Sequence, residues 1–154
     1  MKCLSYALLI LIGATTATFA CPDQEQSSER EEFTGEELYT VVSFHVDAGG
    51  ETDLAECDNV SIAGAEGYVV DSPDYTFSLS EMDPYRLVVS VESDCDSVLL
   101  VNSPDDEWFY DDDGSGDTNP RIELQTVSQG FLDVWVGTLE GGYCEATLSL
   151  ETFD

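Results

Sequence analysis

From Leu38 onward the chain is a succession of short β-forming runs, each closed by Gly, Pro, Asn or Asp, and this pattern decides the fold class. Tyr39 to Val46 is dense in β-branched and aromatic residues and ends at Ala48-Gly49-Gly50. Gly67 to Val70 is brief, and Asp71-Ser72-Pro73-Asp74 breaks it. Tyr75 to Leu79, Tyr85 to Val91, Arg121 to Leu124 and Phe131 to Val136 alternate apolar and polar residues, the period of a half-buried strand. Ser97 to Val101 is an apolar run that suits a strand buried on both faces, and Ala146 to Leu150 completes the series. No stretch sustains a helical period over a dozen residues. Eight or nine short strands at this spacing predict an all-β, jelly-roll-like β-sandwich.

The first twenty residues follow a different rule. Lys2 precedes an apolar run from Cys3 to Ile12, and Thr18-Phe19-Ala20 places small residues at −3 and −1 of a cut after Ala20. The run is too short to anchor the chain across a bilayer, and no second one approaches that length. The expected organisation is a signal peptide over 1–20, a disordered acidic lead-in over 21–37, and the sandwich over 38–154. The protein is thus expected to be exported, to the periplasm or beyond the cell. Cys21, first after the cut, raises a second possibility, cleavage and lipidation as in bacterial lipoproteins. Thr18 and Phe19 depart from the aliphatic and small residues of that signal.

Charge narrows the partners. Without Lys2, three arginines face 33 acids, a net charge of −30. Such a surface repels nucleic acid and anionic lipid. It leaves cation binding at carboxylate clusters, or solvation in a salty medium where screening relieves self-repulsion. Four cysteines follow the cut, Cys21, Cys57, Cys95 and Cys144, and in an exported chain they predict disulfides with three possible pairings. With one histidine, His45, and no close cysteine pair, zinc is not expected.

Several motifs occur in order: His45-Val46-Asp47-Ala48-Gly49-Gly50, Gly67 to Tyr75, Asp96 to Asp105, Trp108 to Asp113 with Asn119-Pro120, Gly130 to Thr138, and Ala146-Thr147-Leu148. Together they resemble small exported bacterial proteins related to the bacterial pre-peptidase C-terminal domain. The resemblance covers most of 38–151. It implies a jelly-roll-like sandwich and a non-catalytic accessory role, with some relatives binding calcium or matrix polymers. Relatives often carry a cysteine where Tyr110 stands here, which removes the usual partner of Cys57. Cys95 and Cys144 flank strands near the C-terminal half and are expected to pair, with Cys21 then either paired to Cys57 or lipidated and Cys57 free.

The densest cluster of oxygen ligands is Asp111 to Asn119. Asp111, Asp113, Asp117 and Asn119 stand at odd spacing, with Gly114 and Gly116 free to turn the backbone, a pattern suited to Ca²⁺. The bidentate Glu of a calcium loop is missing, and the same run reads equally as a solvated loop between strands. Asp94, Asp96 and Asp105 to Glu107 read as hairpin turns. Trp108 and Tyr110, beside the loop, are the candidates for an exposed aromatic surface that would hold sugar rings, whereas Trp135 alternates into the core. A hydrolase would need His45 beside a nucleophile. Only Ser115, flanked by Gly114 and Gly116, faintly suggests one. The sequence therefore predicts a non-catalytic exported binding or structural module, with a protein or polysaccharide as partner.

Overall fold

The computed structural model describes residues 21–26, 28–116 and 118–154. Eleven strands form two sheets: β1 (Glu29–Thr34), β2 (Val42–Gly50), β3 (Thr52–Asp53), β4 (Tyr68–Val69), β5 (Tyr75–Ser80), β6 (Arg86–Ser93), β7 (Ser97–Asn102), β8 (Trp108–Asp111), β9 (Arg121–Leu124), β10 (Gly130–Thr138) and β11 (Gly142–Phe153). The seven-stranded sheet runs β1-β5-β10-β4-β3, with β7 paired to β10 and β8 to β7; the four-stranded sheet runs β2-β11-β6-β9. The two sheets pack as the expected β-sandwich. Each of the eight runs read from the sequence contains a strand, although Tyr39 ends a short 3-10 helix and β2 starts only at Val42, and β1, β3 and β8 are additional.

The core lies between the sheets. Phe77, Leu79, Leu99, Val101, Leu132 and Val134 from one layer meet Leu87, Val89, Val91, Leu148 and Leu150 from the other. Burying each such side chain contributes about 1.5–3 kcal/mol. A second, smaller cluster covers the outer face of the larger sheet. There Val98, Leu100 and Trp135 are roofed by Leu54, Cys57, Val60 and Ala65. With apolar matter on both faces, every residue of β7 is buried.

The lead-in is not disordered throughout. Glu29 to Thr34 form β1, which pairs in parallel with β5 from Glu29↔Tyr75 to Thr34↔Ser80. Its acidic side chains give no apolar alternation, yet an edge strand needs only backbone partners and one apolar anchor. Phe33 is that anchor, with its ring 6.2 Å from Phe44 and 6.3 Å from Phe77. Just before it, the Thr76 hydroxyl donates to Asp133 and so accepts from Ser28.

Two disulfides close the structure, Cys21–Cys57 and Cys95–Cys144. Cys21 therefore engages the sulfur that lipidation would use, and the two are mutually exclusive. Two disulfides fit an exported protein. The signal peptide lies outside the described residues. No helix of the described residues is long and apolar enough to cross a membrane.

Candidate functional site

The outward face of the four-stranded sheet carries a groove of about 680 Å³. Strand alternation puts every second side chain of β2, β11 and β6 on that face. Register then sets them side by side: Asp47 opposite Glu145, and Thr147 between His45 and Glu92. The turn after β6 adds Asp94, and Asn119 closes one side. Four carboxylates and one imidazole line the groove, with no lysine or arginine among the lining residues. His45, Asp47, Glu92, Asp94 and Glu145 are all exposed.

The rim is held covalently. Cys95 follows Asp94 and Cys144 precedes Glu145, so the Cys95–Cys144 bond pins the β6–β7 turn to the start of β11. Asn119 Oδ1 accepts from the Ser93 amide at 2.9 Å and ties the β8–β9 loop to the same corner. Beneath β2, the Tyr75 hydroxyl donates to the His45 carbonyl at 3.1 Å. Burial pushes the neighbouring Asp74 carboxyl up to about 7. The Val136 amide works against that shift, and the Asp47 charge adds to it.

Asp111, Asp112 and Asp113 bring carboxylate oxygens within 4.8 Å of one another. Asp111 Oδ2 accepts from the amides of Gly114 and Arg121, both at 2.7 Å, so it braces its own turn. A Cβ at Gly114 would sit 2.4 Å from that oxygen, which explains the glycine. Burial, then the charges of Asp113 and Asp111, raise the Asp112 carboxyl above its ordinary range. Asn119 Oδ1 accepts from the Ser93 amide at 2.9 Å. Asp112 is in the carboxylate cluster and was not singled out from the sequence. Asp117 lies outside the described residues.

The aromatic candidates are committed to packing. Trp108 is half-buried, with its ring centroid 5.3 Å from that of Trp135, and both belong to the outer cluster. Tyr110 donates to the Glu66 carbonyl at 2.9 Å, and burial pushes its phenol up to about 12. Ser115 donates to the Pro120 carbonyl and is not among the residues lining the groove that holds His45. The groove itself was not foreseen. Asp94 was read only as a turn residue, and Asp47, Glu92 and Glu145 look in sequence like ordinary outward polar positions.

No protein-family model matches the chain, and no curated protein matches it. Among solved structures, it is similar to the Aeromonas hydrophila protein PliG, a periplasmic lysozyme inhibitor of g-type lysozyme. The TM-score is 0.46 at 9% identity, over 82% of this chain and 100% of that one.

Proposed function

We propose that the protein is an exported, non-catalytic binding module that holds a positively charged partner protein against its acidic groove. The observation that carries this reading is the convergence of Asp47, Glu92, Asp94 and Glu145 on one groove with no cationic lining residue. Clustered charge of one sign speeds encounter with an opposite partner and rejects like-charged ones. The disulfide at the rim supports it, because a fixed set of carboxylates loses less freedom on binding than a mobile one. The pre-peptidase-type motifs point to the same class of accessory protein.

Titration calorimetry with cytochrome c, a small cationic protein, tests the reading. Binding is expected at low salt, weakening steeply as salt rises. The double variant Asp47→Asn/Glu145→Gln is expected to weaken it about tenfold or more, the scale of two partly desolvated charge pairs. Asp105→Asn/Asp106→Asn removes the same charge elsewhere and should change affinity less than about twofold. Equal losses in the two variants would mean that only net charge matters, and the groove would have no special role.

A second reading concerns the loop. The three carboxylates gathered at Asp111 to Asp113 favour weak calcium binding that orders the β8–β9 connection. A Ca²⁺ titration with no heat and no rise in melting temperature would remove it.

A further inference from the structure

We infer that the open edge of β2 is a docking strand, which takes an extended basic segment of the partner by strand addition alongside the acidic groove. The inference rests on the reading of the groove above and adds the mode of binding. β2 pairs with β11 from Val42 to Gly50, and on its other side no strand of the described residues pairs with it.

The hydrogen-bonding register tells which groups face that open side. The Val91 amide donates to Pro120 on the β9 side of β6. Alternation along antiparallel ladders then directs Phe44 and Val46 of β2 toward β11. Ser43, His45 and Asp47 turn their amides and carbonyls outward. The His45 carbonyl accepts from the Tyr75 hydroxyl at 3.1 Å, so an added strand would share that oxygen with it.

Three features distinguish this edge. First, Tyr39 to Val46 carries no Asp, Glu, Lys or Arg in a chain that is 24% charged. The edge strand β1, by contrast, is guarded by Glu29, Arg30, Glu31 and Glu32, the usual defence against stray pairing. Second, among the described residues the large apolar side chains more than half exposed are Tyr39, Val41, Phe131 and Tyr143. Tyr39 and Val41 immediately precede β2, and Tyr143 is the β11 partner of Gly49 near its far end. Phe131 lies elsewhere, beneath Arg30. Third, Asp47 and Glu145 stand beside the outward amides. A strand laid from residue 41 to 47 would run roughly 20 Å and set alternate side chains over the groove. Backbone hydrogen bonds would supply affinity, and the carboxylates would select lysine or arginine at those positions. A second copy of this chain is the poorer occupant, since each brings the same excess of negative charge.

The test titrates the protein with a ten-residue peptide alternating lysine and valine and follows amide hydrogen exchange by NMR. Exchange at Ser43, His45 and Asp47 is expected to slow about tenfold or more. Ser43→Pro removes an outward amide and leaves the backbone bonds to β11 in place, at the cost of the hydroxyl contact between Ser43 and Ser149, and should abolish the protection at His45 and Asp47. Val41→Lys, at an exposed position, should weaken the peptide by repulsion while leaving the melting temperature unchanged, which guards against misfolding of the proline variant. If the peptide binds but protection at the three amides is absent, the docking strand is wrong while the groove stands. If neither the peptide nor cytochrome c binds, both readings fall. If the three amides are protected without peptide and the protein sediments as a dimer, the occupant is a second copy and the inference is overturned.

Discussion

Asp74 offers the sharpest quantitative test, because its carboxyl is drawn into the sandwich beside β10. Its amide donates to the Val134 carbonyl at 2.9 Å, and its Oδ2 accepts from the Val136 amide at 2.7 Å. Burial lifts its pKa from the ordinary 3.8 to about 7, with the Val136 bond opposing and Asp47 reinforcing. At about 1.4 kcal/mol per tenfold change, that difference is worth about 4 kcal/mol. Asp74 keeps some contact with solvent, so about 2–4 kcal/mol is the expected range. The sign follows from proton counting. Between the unfolded and folded pKa values the native state holds the proton more firmly, so stability is full below about 4 and falls as pH rises toward 7. Above 7 the loss is complete and the curve is flat. Asp74→Asn keeps an oxygen for the Val136 amide and removes the charge. Urea unfolding of both proteins, from pH 4 to 8.5, should show the variant nearly equal at the acid end. It should be more stable by about 2–4 kcal/mol above pH 7. Urea is the right denaturant, since a guanidinium salt would screen the surface. A difference between the two proteins that is constant across this range would refute the argument.

Thr76→Val removes the hydroxyl that donates to Asp133 and leaves a buried carboxylate short of a partner. A loss of about 1–3 kcal/mol is expected in urea unfolding. Replacing Cys95 and Cys144 together by serine opens a loop with a sequence separation of 49 and should cost about 2–5 kcal/mol. The same double variant should weaken cytochrome c binding, because the rim of the groove is no longer pinned. The excess of acids predicts a melting temperature that climbs between low salt and about 1 M salt, as the Debye length shrinks to about 3 Å. A flat salt profile would show that self-repulsion is a negligible part of this fold's stability.

Most of the sandwich is legible in the sequence because strand burial writes itself as alternation. Tyr85 to Val91 and Phe131 to Val136 declare themselves strands without help from the structure. β1 does not, since its six residues include four charges and only Phe33 reaches the core. A two-residue strand such as β3 is too short to carry a period, and β4 is legible only through the breaker at Asp71 to Asp74 that follows it. Trp108 to Asp111 is a strand whose rings were read as a surface, because the roof over Trp135 comes from residues far away, Leu54 to Ala65. The groove shows the same limit more strongly. Its acids are Asp47, Glu92, Asp94 and Glu145, and only the register of three strands brings them together. Of the predicted loop ligands, Asp111 and Asp113 meet as spacing suggested. Asn119 Oδ1 accepts from the Ser93 amide at a strand end, a partner that spacing does not reveal.

The strand order has a consequence for how the chain is made. β10 joins β5 to β7 in the larger sheet, and β11 joins β2 to β6 in the smaller one. Both central strands lie within 130–153, so neither sheet closes around its centre until that stretch has been synthesised. Such long-range pairing folds slowly. For an exported polypeptide this is an advantage. A chain carried across a membrane unfolded would stay threadable until that stretch emerged, and β10 and β11 would then complete both sheets.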